Sequence, residues 1–158
     1  MKKNGLYSWG ILQVAPYKCN FCMRASGEEV RTRSVASVVA EIERNIEVFG
    51  CTSIAFLDET FALNKKWTSN FFSALKKRGL NKKISWACST RVSHTRSDLF
   101  EAMREAGCYY VFFGLESADE EVLLTSGKKI TPDDMKQSIK WAKEAGIISV
   151  GAFIIGLP

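Results

Sequence analysis

Two cysteines near the N-terminus, Cys19 and Cys22, are the side chains of this sequence that are best suited to metal chemistry. Their two-residue spacing lets both thiolates bind one metal centre. A third thiolate at position 15 would complete the C-x3-C-x2-C pattern of an iron–sulfur loop, but that position holds Ala15. On spacing alone, half of a zinc site, a redox-active thiol pair and a chance pattern stay open. No second C-x2-C or C-x2-H follows in the chain, which disfavours structural zinc.

The composition is that of one soluble globular domain. Of the 158 residues, 46% are hydrophobic and 25% are charged, and no apolar run reaches the ~18–20 residues that span a bilayer. The five cysteines are an odd number and are too scattered for a secreted disulfide framework. The N-terminal stretch is too short and mixed for a signal peptide. We therefore expect a cytoplasmic protein with no membrane partner.

The net charge of +5 raises the question of a nucleic-acid partner. The basic residues, however, are grouped at or just beyond predicted helix ends, at positions 76–78, 82–83 and 128–129. Cations at these places complement the helix dipole and stay solvated. We therefore expect Lys128 and Lys129 to be exposed, and we do not expect a nucleic-acid partner.

Short apolar runs alternate with helical patterns along the chain. Five strands are predicted, over residues 10–15, 52–57, 84–88, 109–115 and 147–155. Helices are predicted over 97–106 and after the N-cap residues Ser34, Asn64 and Thr131. Ser117 and Glu120 suggest the capping box of a further short helix. This order implies an α/β fold, with a parallel sheet that is either open and doubly wound or part of a barrel.

In either architecture, ligands bind at the carboxyl ends of the parallel strands. Polar residues follow three of the predicted strands at this edge, namely Asp58-Glu59, Ser89-Thr90-Arg91 and Glu116. The loop with Cys19 and Cys22 emerges at the same edge. If the strand persists, Asp58 and Glu59 point to opposite faces, so at most one of them faces the site.

The chain ends directly after its last predicted strand, without a helix to cover that strand. A complete (β/α)8 barrel needs about 250 residues. An open parallel edge would also leave backbone groups unpaired. We therefore expect a fragment of a barrel, truncated after about five strands.

Several blocks of the sequence together resemble one family. They are residues 16–22 (PYKCNFC), 56–61 (FLDETF), 86–92 (WACSTRV), 106–117 (AGCYYVFFGLES) and 151–158 (GAFIIGLP). In this order they resemble the radical S-adenosylmethionine (SAM) superfamily, in particular the branch that often carries an N-terminal cobalamin-binding domain. The resemblance covers residues 16–158, which we assign as an incomplete radical SAM core. Residues 1–15 are left as a segment without a match, and no cobalamin domain is expected in this chain.

The resemblance implies a partial parallel (β/α)6 TIM-like barrel, of which five strands are visible. It also implies a 4Fe–4S cluster that three cysteines hold, with SAM bound to the fourth iron. Reductive cleavage of SAM, fed by an external electron donor of the flavodoxin or ferredoxin type, would give a 5′-deoxyadenosyl radical that abstracts hydrogen from the substrate. The substrate, small molecule or macromolecule, cannot be read from the sequence, so methyl transfer, methylthiolation and ring rearrangement all stay open.

The resemblance also assigns roles to individual residues. Cys19 and Cys22 would be cluster ligands, and Phe21 between them would line the adenine side. The remaining SAM contacts would come from the strand ends: Asp58, Glu59 and Thr60 near the amino group, Arg91 and Glu116 near SAM or its ribose, and Ile154 against the adenine.

The sequence departs from the family pattern just before Pro16. The family has an arginine, a glycine and a cysteine where this chain has Gln13, Val14 and Ala15. Because a single ligand mutation would not also alter both neighbours, we hypothesise a misassembly, a frameshift or a rearranged gene start. We expect poor cluster retention and no SAM cleavage by this chain. The alternative is a non-catalytic remnant that keeps the fold without a cluster.

The other three cysteines are poor substitutes for the missing ligand. Cys88 lies at the end of the third predicted strand, but a small buried thiol is its simpler interpretation. Cys51 and Cys108 precede or begin strands, at the end of the sheet opposite the loop with Cys19 and Cys22.

Overall fold

The computed structural model describes residues 6–9, 19–22 and 32–157. Its single described sheet has five strands, which are β1 (Leu6–Trp9), β2 (Ser53–Phe56), β3 (Ser85–Thr90), β4 (Cys108–Glu116) and β5 (Ile148–Phe153). All neighbouring strands are parallel, and their spatial order is their order along the chain. Among the described residues there are five α-helices, which are α1 (Val35–Phe49), α2 (Lys65–Lys77), α3 (Ser97–Glu105), α4 (Glu120–Thr125) and α5 (Pro132–Glu144). The α/β class predicted from the sequence is therefore confirmed.

Local capping signals fix the long helices where the sequence predicts them. The Ser34 hydroxyl accepts a hydrogen bond from the Ser37 N–H at the start of α1, and Gly50 ends that helix in the left-handed conformation. Asn64 caps α2 through the Trp67 N–H. Thr131 and Asp134 form a reciprocal capping box at the start of α5.

One local prediction differs from the structure, and another cannot be compared with it. The first described strand lies at Leu6–Trp9, and the strand predicted over residues 10–15 lies outside the described residues. Leu6–Trp9 pairs in parallel with β2. The segment 1–15 thus contributes a strand to the sheet. At α4 the N-cap is Asp119, whose carboxylate accepts the N–H groups of Glu121 and Val122, so the Ser117 and Glu120 capping box is wrong.

The core lies between the sheet and the helices that pack along one of its faces. Trp86 of β3 is fully buried, and its indole N–H donates to the Ala106 carbonyl at 2.8 Å. Its ring contacts three phenylalanine rings, which are Phe56 of β2, Phe72 of α2 and Phe61 in the segment between these two elements. On β4 the same face of the sheet carries Val111, Phe113 and Leu115, all buried. The opposite face is lined by the alternate residues of each strand.

That opposite face is the one that a barrel would enclose. It carries Phe112 on β4 and Val150 on β5, both exposed, with the half-buried Gly114 and Glu116 further along β4. Because β2, β3 and β4 are neighbouring parallel strands, their carboxyl ends lie side by side at one edge of the sheet, next to this face.

In the part of the chain that the structure describes, no helix is both long and apolar enough to cross a membrane.

Candidate functional site

The cysteine loop lies against the end of α4. The described loop, Cys19–Cys22, is a turn in which the Cys22 N–H donates to the Cys19 carbonyl at 3.1 Å. The Asn20 N–H donates to the Ser126 carbonyl at 3.1 Å, and the Asn20 side-chain amide donates to the Thr125 carbonyl at 2.9 Å. Cys19 is buried and Cys22 is exposed. The loop thus presents one sheltered and one accessible thiol.

Arg91 connects this loop to the sheet. It directly follows β3, and its guanidinium Nη1 lies 3.5 Å from the Cys19 Sγ, to which it donates. The two residues are 72 positions apart in the sequence, so the contact depends entirely on the parallel topology. The prediction that the third strand ends beside the cysteine loop is confirmed for Arg91.

Glu116 ends β4 in an unusual backbone conformation. Its φ of 71° lies in the left-handed region, which costs a non-glycine residue of order 1 kcal/mol or more. The register of the β4–β5 pairing shifts at the same place, and the Ile154 N–H donates to the Glu116 carbonyl at 2.8 Å. Such a conformation persists only where surrounding contacts hold it.

One such contact is an ion pair with Lys128. The Lys128 ammonium lies 2.8 Å from Glu116 Oε1 and also donates to the Gly114 carbonyl. The exposed fractions of the two side chains are 4% and 13%, so the pair is buried. The expectation that Lys128 stays solvated is therefore wrong. Lys129, the next residue, is exposed, and the pair of lysines in the sequence gave no sign that Lys128 is buried. The position of Lys128 is decided by its tertiary contacts.

The charges around Lys128 belong to the residues predicted for the site. Burial lowers the pKa of the Lys128 ammonium, whereas the hydrogen bond and charge of Glu116 raise it. Arg91 lowers the pKa of Lys128 further, and Cys19 raises it. Cys19, Arg91, Glu116 and Lys128 therefore form one interacting cluster at the edge of the sheet. A glycine inside a β-prone run, Gly114, was the sequence signal that a side chain approaches closely here.

We expect Gly114→Ala to lower the free energy of unfolding by about 1–3 kcal/mol. A methyl group at this position would overlap Glu116 Oε1 and lie 3.1 Å from Lys128 Nζ, so the ion pair would have to move. Elsewhere in a chain, Gly→Ala at a compatible backbone stabilises by about 0.4–1 kcal/mol. The urea midpoint of unfolding measures this change. A lower midpoint in Gly114→Ala supports the close contact of Glu116 and Lys128 with position 114, and a higher midpoint contradicts it.

The three residues after β2 do not share one environment. Asp58 and Thr60 are buried, whereas Glu59 is exposed, as expected for neighbours that point to opposite sides. Asp58 and Thr60 line a cavity of about 10 Å³ beside Trp67 and Thr68 of α2, which is room for about one water. Among these three residues, Glu59 is therefore the one accessible to a ligand.

Phe21 and Ile154 flank the cluster of charged residues. Phe21 is half-buried in the cysteine loop, and Ile154 follows β5 with its side chain 40% exposed. The Ile154 backbone is tied to Glu116, which places it beside the cluster. Ala15 lies outside the described residues, so its prediction rests on the sequence alone.

The remaining cysteines are distant from this role. Cys51, Cys88 and Cys108 are buried, and Cys88 is a small core thiol, as predicted. Burial raises the pKa of Cys88 well above its ordinary value, and the neighbouring Cys108 and Asp58 raise it further. Within the described residues, no three His, Cys, Asp or Glu side chains are grouped so that they could hold a metal ion.

A larger cavity of about 710 Å³ lies between α2 and α3. Its lining includes Lys65, Lys76, His94 and Arg96, and none of the predicted site residues. Burial lowers the pKa of His94, which is half-buried. Two of the cations are already paired, Lys76 with Glu105 and Arg96 with Asp98.

Comparison with known proteins identifies the family. The model of the family described as "Radical SAM superfamily" matches residues 11–158. The chain belongs to the radical SAM superfamily. The match begins upstream of Pro16, the residue from which we expected the resemblance to run. Members of this superfamily are enzymes that use a 4Fe–4S cluster and SAM, so the recognition, the enzyme class and the cofactors predicted from the sequence are confirmed for the family.

Curated relatives point to the same group of enzymes. An uncharacterized methyltransferase of Pyrococcus horikoshii is 39% identical over 145 residues, which are 90% of this chain and 31% of that protein. The anaerobic magnesium-protoporphyrin IX monomethyl ester cyclase of Cereibacter sphaeroides is 31% identical over 145 residues, which are 90% of this chain and 24% of that protein. This radical SAM chain thus spans about a third or less of the length of these relatives.

A solved structure shows the same fold. The radical SAM methyltransferase TsrM of Kitasatospora setae, with cobalamin and a [4Fe–4S] cluster bound, superposes with a TM-score of 0.88 at 22% identity. The superposition covers 99% of this chain and 32% of that one. The partial TIM-like barrel predicted from the sequence is therefore confirmed.

The residues of this chain fit the family's cofactors unequally. Thr60 Oγ1 is buried and, within the described residues, makes no hydrogen bond, but the cavity beside it is too small for SAM. Glu59, Arg91 and Glu116 offer charged groups at the strand ends. For the cluster, Cys19 and Cys22 supply two thiols, and position 15 supplies none. The donor set is one ligand short of the three that the family uses.

Proposed function

We propose that this chain is the SAM-binding core of a radical SAM enzyme whose cluster loop lacks one thiolate, so that it holds its cluster poorly. The observation that carries the proposal is the contact between Arg91 and Cys19. It joins a strand-end residue to the cysteine loop, as the layout of a SAM and cluster site requires. The defect itself is inferred from Ala15.

Within this proposal, each residue has a limited task. Cys19 and Cys22 would hold the cluster, and Arg91 would offset the negative charge of the thiolates. Glu59 and Glu116 would position the polar parts of SAM, with Phe21 and Ile154 against its adenine. When bound, the cluster and SAM together supply one-electron chemistry that the side chains of a protein lack.

The substrate and the partners are proposals as well. The names of several relatives contain methyltransferase or methylase, which favours methyl transfer over ring rearrangement for the whole protein. The electron would come from an external donor of the flavodoxin or ferredoxin type. A small-molecule and a macromolecular substrate both stay open, and the absence of a nucleic-acid partner stays a prediction.

A second candidate is a non-catalytic remnant that keeps the fold and has lost its cluster. Ala15 favours it, because two thiols bind a cluster more weakly than three. The two candidates differ in whether the rest of the site is still competent.

We expect the chain, after anaerobic reconstitution with iron and sulfide and removal of the excess, to retain far less iron and sulfide than a full 4Fe–4S complement. The iron and sulfide that remain should fall further in Cys22→Ala, because the loop then has a single thiol. The matched control is Cys51→Ala, which removes a buried cysteine away from the loop. A full complement with an EPR signal that responds to SAM would contradict the proposed defect.

A further inference from the structure

Lys128 is a buried cation that was not among the site residues predicted from the sequence. Its side chain is 4% exposed, and lysine is almost never buried to this extent without a partner. The partners are Glu116 and the Gly114 carbonyl, both at the end of β4. Lys128 therefore ties the residues that follow α4 to the end of the neighbouring strand.

The residues just before Lys128 carry the cysteine loop. The carbonyls of Thr125 and Ser126 accept the two hydrogen bonds of Asn20, and the Cys19 Sγ lies 4.0 Å from the Gly127 carbonyl. We call Thr125–Lys128 the platform turn. Three of its four residues contact the loop, and the fourth anchors the turn to β4.

We propose that Lys128 is a positioning residue, which seats the Cys19–Cys22 loop by fixing the platform turn against Glu116 and Gly114. The inference rests on the proposed function only in naming this loop as the cluster loop. Because Glu116 is itself a predicted SAM contact, the same ion pair holds both halves of the site in one arrangement. In this task Lys128 acts on the cysteine loop through the platform turn.

A merely structural role would have a different signature. If Lys128 stabilised only the fold as a whole, its loss would expose every buried cysteine together. If it seats the loop, its loss releases Cys19 while Cys51, Cys88 and Cys108 stay protected, because these three belong to the hydrophobic core and Cys19 does not. The four buried thiols thus distinguish local from global opening.

The test is thiol labelling of the metal-free 158-residue chain with iodoacetamide at one fixed pH, followed residue by residue by mass spectrometry. In Lys128→Met we expect Cys19 to be labelled about tenfold faster than in the parent, with the three core thiols unchanged. Loss of a neighbouring cation by itself makes a thiol less reactive, so faster labelling reports release of the loop. Lys129→Met, at the exposed neighbouring position, is the matched control and should match the parent. Unchanged protection of Cys19 in a folded Lys128→Met variant overturns the proposal.

A second variant covers the case in which Lys128→Met does not fold. Lys128→Met leaves the Glu116 carboxylate buried without its cation, whereas the double variant Glu116→Gln/Lys128→Met removes both charges. Selective release of Cys19 in the double variant supports the positioning role. Protection of Cys19 there, or labelling of all four thiols at once in both variants, overturns it. The protein is metal-free throughout, so poor cluster retention neither supports nor defeats this result.

Discussion

The variant Ala15→Cys is expected to retain several times more iron and sulfide than the parent chain after the same reconstitution. A third thiolate would complete the C-x3-C-x2-C pattern, and clusters of this kind depend on cysteine thiolates for their retention. Iron and acid-labile sulfide per chain are the quantities measured. The matched control is Ala36→Cys, which adds a thiol at an exposed position of α1 and should leave the retained iron unchanged.

The outcome separates the two candidate functions. A full cluster in Ala15→Cys, with a spectrum that changes when SAM is added, means that the scaffold is competent and only the loop is defective. A full cluster without any response to SAM places the defect at the strand ends, for example at Glu59 or Glu116. Equal iron in Ala15→Cys, in Ala36→Cys and in the parent contradicts the view that the missing thiolate limits this chain, and favours the remnant.

The helices and strands could be predicted because their signals are local. Ser34, Asn64 and Thr131 cap their helices through contacts within a few residues, and the structure reproduces each of them. The strand at residues 6–9 was not predicted, because four residues give a weak local signal and their pairing with the distant β2 holds them in the sheet. At α4 the cap is Asp119 instead of Ser117, because the Asp119 carboxylate accepts the N–H groups of Glu121 and Val122.

The site could be predicted only in part. Parallel topology places strand ends together, so Arg91 and Glu116 were found from their positions after β3 and β4. Lys128 was missed because its neighbour Lys129 and a nearby helix end gave it the pattern of a solvated cation. Its burial depends on Gly114, which leaves room for the ion pair, and on a turn that the sequence does not mark. Contacts between residues 19–20 and residues 125–127 have no local signal in the sequence.

The largest loss of stability is expected for Trp86→Ala. Trp86 is fully buried on β3, and truncation of a buried tryptophan to alanine costs about 3–5 kcal/mol. The variant would leave a cavity among Phe56, Phe61 and Phe72 and remove the hydrogen bond to the Ala106 carbonyl. Since whole domains are stable by only about 5–15 kcal/mol, we expect the urea midpoint of Trp86→Ala to be much lower than that of the parent chain.

Two further variants separate the causes of this loss. Trp86→Phe keeps most of the ring but leaves the Ala106 carbonyl without its donor, which should cost about 1–3 kcal/mol. Trp141→Ala, at a half-buried position of α5, is the matched control and should cost less than Trp86→Ala. Urea unfolding followed by circular dichroism measures all three. The packing around the Trp86 ring joins β2, β3 and α2. Equal urea midpoints for Trp86→Ala and Trp141→Ala would therefore contradict the view that Trp86 contributes more to the stability of the core than Trp141 does.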